Sequence, residues 1–207
     1  MTKLILIRTA QTDWQAQGRL AGDTDLELNE IGHRQAAADA QAVAGFAPQS
    51  IHCGADQATQ QTATIIADEL RLKVKTLDAL REIDLGHWEG LTIQGFRERF
   101  SKVYRQWRSN PLSVEPPEGE SISVIAARLE KGIEKILKRK NESPLILVLG
   151  RFAYATTRCS LDDGDFEHFW KYIDDDSQWH ALDFDPSRSA DGAKAKKDAT
   201  TDSSRGS

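Results

Sequence analysis

Five histidines, His33, His52, His87, His168 and His180, are scattered along the chain. An imidazole is nucleophilic near neutral pH because its unperturbed pKa is about 6.5. None of the five falls in an obvious catalytic setting, and all are read as structural or exposed. Cys53 and Cys159 fit no disulfide or zinc spacing. A reactive thiol needs an electropositive, accessible setting, so Cys53, at the end of a predicted strand, reads as a small buried residue. Asp162-Asp163-Gly164-Asp165 has the look of a calcium loop, but Phe166 interrupts the oxygen ligands and no Glu closes it. Asp174-Asp175-Asp176 reads as a solvated turn. The Thr9 hydroxyl is a poor nucleophile without an adjacent base, and its neighbours Ala10 and Gln11 supply none. These residues imply neither a metal nor an organic cofactor.

The elements that must position such groups follow from the apolar pattern. Residues 4–7 and 145–149 are continuous aliphatic runs, as expected of strands buried on both faces of a parallel sheet. Residues 50–53 predict a short strand. Residues 73–77 alternate as a strand exposed on one face does, and 178–184 as an edge strand. Helices are predicted over 32–44, 59–70 and 92–107, from Ile122 behind an N-cap at Ser121, and from Phe152. Strands alternating with helices give an α/β class with a mostly parallel sheet covered on both faces. From Pro186 onward the chain turns to Ser, Asp, Lys, Ala, Gly and Thr. We expect one domain over 1–185 and a disordered polar tail over 186–207.

The chain has 207 residues, and 27 Lys+Arg against 32 Asp+Glu leave a net charge of −5. That length suits a single domain, and 39% hydrophobic residues suffice for a core. The acidic balance argues against nucleic acid or an anionic membrane as a partner. The five tryptophans are not interleaved with basic residues and read as core and pocket wall. No stretch approaches the roughly 18 apolar residues of a spanning helix. The N-terminal apolar run is too short for a signal peptide. A reduced, cytoplasmic protein is expected.

Several segments then share a pattern. They are Leu80-Arg81-Glu82-Ile83-Asp84-Leu85-Gly86-His87-Trp88-Glu89-Gly90, Gln61-Thr62-Ala63, and Pro116-Pro117-Glu118-Gly119-Glu120-Ser121. The stretch from Leu4 through Thr12-Asp13-Trp14, Gly18-Arg19-Leu20, Thr24-Asp25 and Leu28-Asn29 joins them. Together, in register over roughly residues 3–184, they resemble the histidine phosphatase superfamily, the phosphoglycerate mutase-like proteins. The resemblance implies a three-layer α/β/α sandwich around a mostly parallel sheet with one antiparallel edge strand. Its ligand pocket would open at the carboxyl ends of the strands. It also implies phosphoryl transfer through a histidine nucleophile in an Arg-His-Gly motif. A second histidine and two arginines surround the phosphate, and an acidic residue protonates the leaving oxygen.

Here the first motif reads Arg8-Thr9-Ala10-Gln11, so Thr9 takes the nucleophile's place. The second arginine falls on Ala58, and the second histidine on Gly150, with Arg151 beside it. The resemblance makes Arg8, Thr9, Gln11, Thr12, Ala58, Glu82, Gly150 and Arg151 the pocket residues, with Glu82 the retained candidate acid. Glu82 is expected to pair with Arg151 or Arg8, because a buried carboxylate needs a partner. Arg151 either offers a replacement cation or plugs the pocket. The losses predict a degenerate fold that is not an enzyme and binds a phosphorylated small molecule or a protein partner. The alternative is an active phosphatase of small phosphate esters with altered chemistry around Arg8 and Glu82. A mutase is less expected, because nothing in the motifs can hold a phosphoryl group between two positions.

Overall fold

The computed structural model describes residues 2–138, 144–161 and 164–184. Its strands are β1 (Thr2–Arg8), β2 (Ser50–Cys53), β3 (Val74–Thr76), β4 (Leu145–Leu149) and β5 (Trp179–Phe184). They form one sheet in the order β3-β2-β4-β1-β5. β1 and β4 run parallel with Leu4 opposite Leu145 and Arg8 opposite Leu149. β2 is parallel to both β4 and β3. β5 closes the sheet antiparallel to β1. This is the mixed α/β fold, mostly parallel as the apolar pattern predicts, with the one antiparallel edge that the resemblance implies.

The aliphatic runs are buried on both faces because successive side chains point to opposite sides of a strand. Leu4, Leu6, Leu145, Leu147 and Leu149 enter one core. Ile5, Ile7, Ile146 and Val148 enter the other. The helices are α1 (Asp13–Ala16), α2 (Glu30–Val43), α3 (Gln57–Leu70), α4 (Ile93–Arg99), α5 (Ser101–Ser109), α6 (Ile122–Leu137), α7 (Arg151–Leu161) and α8 (Phe169–Asp174). Ala40 and Val43 of α2 and Ala63, Ile66 and Ala67 of α3 cover the isoleucine face. The apolar stripe of α6, with residues of α7 and α8, covers the leucine face. Ser121 caps α6, its side chain accepting from the Val124 N–H as predicted.

Two expectations are corrected. The helix predicted over 92–107 is two helices, with Phe100 outside helical geometry between them (φ −122°, ψ 42°). Trp88 explains the break. Phe96 and Trp107 both pack on its ring, at centroid distances of 4.7 and 5.4 Å. In one straight helix the same two residues would lie about 16 Å apart along the axis and could not share that partner. Second, α3 starts at Gln57 rather than 59, because the Asp56 carboxylate accepts the Thr59 N–H at 3.0 Å and caps the helix. The predicted tail 186–207, the domain limit at 185 and Asp162-Asp163 lie outside the described residues. No helix among the described residues is long and apolar enough to cross a membrane.

Candidate functional site

A cavity of about 130 Å³ opens where β1, β2 and β4 end. Thr9 follows β1, Asp56 and Ala58 follow β2, Gly150 and Arg151 follow β4, and all five line it. Glu82 enters from the segment after β3, and Thr12 from the start of α1. The structure therefore brings six of the eight sequence-predicted pocket residues together. Arg8 and Gln11 are not among the lining residues. The Arg8 guanidinium instead donates to the carbonyls of Asp175 (2.7 Å) and Ile173 (3.5 Å), tying the end of β1 to the end of α8. The Gln11 side-chain oxygen accepts from Asn29 at 3.1 Å.

The expected ion pair of Glu82 is not formed. Its Oε2 accepts the Phe152 N–H at 2.7 Å, and its Oε1 accepts the N–H groups of Ala153 (2.9 Å) and Ile83 (2.7 Å). Two of these donors are free amides at the start of α7, where a helix exposes unsatisfied N–H groups and the positive end of its dipole. Arg151 turns away and donates twice to the Ile173 carbonyl, at 3.1 and 2.8 Å. Burial and then the nearby Arg8 hold its guanidinium below the usual value. Glu82 is 3% exposed. Burial pushes its carboxyl up to about 8 against the pull of the three N–H donors. Its placement also accounts for Gly150. A Cβ at that position would meet Oε2 at 2.4 Å and the carboxyl carbon at 2.7 Å. No larger residue fits there while Glu82 caps α7.

The Glu82 segment is held by a charge network that joins the two strongest sequence motifs. Arg81 pairs with Asp23 at 2.8 Å and with Glu120 at 3.0 Å. Arg128 pairs with the other Glu120 oxygen at 2.8 Å and donates to the Arg81 carbonyl at 2.9 Å. Gly119 stands so close to the Asp84 carbonyl that a Cβ would approach it to 2.6 Å. The motif containing Arg81 and the turn containing Glu120 are thus two halves of one clamp.

Two hydroxyls meet at the Thr9 part of the lining. Thr9 Oγ1 and Thr59 Oγ1 lie 2.6 Å apart, both buried. The remaining walls are cationic and aromatic, with Arg19, Arg108, Trp107, Trp170 and Phe152 on the lining. Trp107 stacks on Phe152 at 5.7 Å, and Trp170 meets Trp107 edge-on at 5.0 Å. Arg19 donates to the Gly90 carbonyl at 2.7 Å, and Arg108 pairs with Asp174 at 3.1 Å. No histidine is among the lining residues. His87 pairs with Glu118 on the surface and His52 is buried in β2. Cys53 is fully buried, and burial pushes its thiol up to about 11, which makes it unreactive.

Sequence reasoning missed Asp56, Thr59, Arg19 and Arg108. Asp56 left a signal as an N-cap residue type three positions before Thr59, and Arg19 lies in the Gly18-Arg19-Leu20 segment of the resemblance.

Residues 4–190 match the family model of the histidine phosphatase superfamily, branch 1. Phosphoserine phosphatase 1 of Hydrogenobacter thermophilus is 29% identical over 188 residues, covering 91% of this chain and 89% of its own. Among solved structures, a mycobacterial glucosyl-3-phosphoglycerate phosphatase in complex with VO3 has a TM-score of 0.78 at 24% identity, covering 88% of this chain and 93% of that one. The alpha-ribazole phosphatase of Shigella flexneri has a TM-score of 0.76 at 21% identity, covering 89% and 91%. At those identities the two structures show the fold. The expectation of a protein that is not an enzyme is corrected by these relatives. The curated one that matches nearly the whole chain is named as a phosphatase, and the family model matches residues 4–190.

Proposed function

The chain belongs to branch 1 of the histidine phosphatase superfamily, and from that premise we propose that it is a phosphomonoester hydrolase of small phosphorylated metabolites. The observation that carries this reading is the placement of the buried Glu82 carboxyl, whose pKa burial raises, on the wall of a cavity that also holds Thr9 and three arginines. A carboxyl with a pKa near the working pH is suited to give its proton to a departing alkoxide. Arg19 and Arg108 supply positive charge for the phosphoryl oxygens, whose charge spreads in the loose transition state of the transfer. The cavity's small volume and its aromatic wall favour a compact ester over a polymer. Phosphoserine and phosphorylated glycerates are the first candidates, because they are the substrates in the names of its relatives.

This chemistry does not pass through a phosphohistidine. Thr9 and Gly150 stand at the two places where the resemblance puts histidines, and the cavity lining offers none in exchange. Glu82, folded over Gly150, fills the space a second histidine would need. The test is phosphate release by the purified protein from phosphoserine, 3-phosphoglycerate and para-nitrophenyl phosphate, beside a Glu82→Ala variant. Turnover that falls in the variant supports the reading. Equal release by both proteins, at the level of buffer, overturns it.

A further inference from the structure

We propose that Thr9 is the nucleophile, and that Thr59 and Asp56 relay its proton away from it; the inference rests on the phosphatase reading and deepens it. The Thr9 and Thr59 hydroxyl oxygens are 2.6 Å apart, close enough for Thr9 to donate. Thr59 in turn donates its N–H to the Asp56 carboxylate at 3.0 Å, and its hydroxyl is near enough to that carboxylate to pull its pKa down. Asp56 is 8% exposed, lines the cavity, and has a buried Oδ2 with no hydrogen-bond partner. A buried carboxylate oxygen left unpaired is costly unless the site uses it. As a proton acceptor it is used. The arrangement has the parts of an activated nucleophile: a hydroxyl at the cavity wall, a base, and a third group that connects and orients them.

The Asp56 carboxyl is raised by burial, and the Thr59 hydroxyl and N–H pull it back down. Glu82, also on the lining, is raised to about 8 by burial, and the Asp56 charge adds to the rise. Burial raises both carboxyl groups, and their places divide the roles: Asp56 stands behind the Thr9–Thr59 hydroxyl pair, and Glu82 stands against Gly150. In the first step the Thr9 oxygen attacks phosphorus and the bond from phosphorus to the ester oxygen breaks. The Thr9 proton moves to Thr59, the Thr59 proton moves to Asp56, and the departing oxygen takes the Glu82 proton. In the second step water attacks the phosphothreonine and gives its proton to the Glu82 carboxylate. The Thr9 oxygen leaves and recovers its proton from Asp56 through Thr59. Nothing is oxidised or reduced, and both carboxyl groups return to their starting states.

Asp56→Asn separates relay from structure, because asparagine caps a helix about as well as aspartate but cannot take the proton. Thr9→Val and Thr59→Val keep shape and remove only the hydroxyls. The full chain is incubated with phosphoserine and para-nitrophenyl phosphate, quenched in acid, and mapped by peptide mass spectrometry. Acid destroys phosphohistidine and spares phosphothreonine. A phosphoryl group on Thr9 is expected, with no turnover in Thr9→Val. Asp56→Asn is expected to lose about 10²–10⁴-fold in kcat, the range for a positioned base, with an unchanged melting temperature. Thr59→Ser is expected to recover most of the rate lost in Thr59→Val. A wild-type protein that turns over esters while Thr9→Val or Asp56→Asn does so equally well overturns the relay and leaves the phosphatase standing. So does a phosphoryl group mapped to another residue. A wild-type protein that releases no phosphate from any ester overturns both.

Discussion

The two buried carboxyl groups on the cavity lining are held in opposite ways. Glu82 is fully partnered: three N–H groups fix its oxygens, and the Arg81–Glu120–Arg128 clamp fixes the backbone that carries it. Asp56 is half-partnered: one oxygen caps α3 and the other is buried without a donor. The first arrangement sets a proton donor at one fixed point. The second leaves an acceptor with spare capacity beside two hydroxyls. In the proposed reaction the proton leaves through Asp56 and arrives from Glu82.

The largest effect is expected at the fully partnered carboxyl. Glu82→Gln removes the acid and is expected to lower kcat on alkyl phosphates by about 10²–10⁴-fold, read from steady-state phosphate release. Its stability should also change shape with pH. The folded carboxyl titrates near 8 and the unfolded one near 4.5, so between those values the folded state holds a proton that the unfolded state has released. Stability therefore falls as pH rises across that window. Asp39, pushed up to about 6 by burial from 3.8, adds a smaller loss of the same sign. Urea unfolding at a series of pH values should show the decline in the wild type and a shallower one in Glu82→Gln.

Next in size is Gly150→His, which puts back the residue type that the resemblance expects at that position. Its Cβ collides with the carboxyl group, and overpacking of this kind costs about 1–3 kcal/mol. Thermal unfolding should show the loss, and Gly150→His combined with Glu82→Ala should recover part of it. Glu120→Gln loosens the clamp without touching the cavity. The cost should be about 1–2 kcal/mol, the scale of lost hydrogen bonds to charged groups, with a fall in kcat as Glu82 loses its fixed position. The smallest effect on stability is expected at the half-partnered carboxyl. Asp56→Asn should lie within about 0.5 kcal/mol of the wild type, since it keeps the cap. A large destabilisation there would mean that Asp56 is structural and the contrast between the two carboxyl groups is false.

The surroundings of Glu82 were legible in the sequence and those of Asp56 were not, for physical reasons. Arg81, Glu82, Gly119 and Glu120 lie in two motifs whose residue types are forced by one clamp and by close backbone approach. The sheet was legible because the aliphatic runs of β1 and β4 can only be buried on both faces. What the chain's order hides is proximity. Thr9 has no base beside it in sequence, yet β1 and β2 end at the same edge and bring Thr59 within 2.6 Å. The pairing of Glu82 with an arginine was the natural expectation from charge. It failed because free amides at the start of α7 satisfy a carboxyl as well as a guanidinium does, and Arg151 found a carbonyl instead. The split of the helix over 92–107 depends on a third residue, Trp88, that no local pattern contains.

The central claim, hydrolysis in this cavity with Glu82 as the acid, is tested most directly by leaving-group dependence. Phosphate release from phosphoserine and from para-nitrophenyl phosphate would be measured for the wild type and for Glu82→Ala. A serine alkoxide needs a proton to depart and a nitrophenolate does not. The wild type should therefore turn over both esters, and the variant should lose far more rate on phosphoserine than on the aryl ester. Equal losses on both, or release by the wild type no faster than by the variant, would contradict the account.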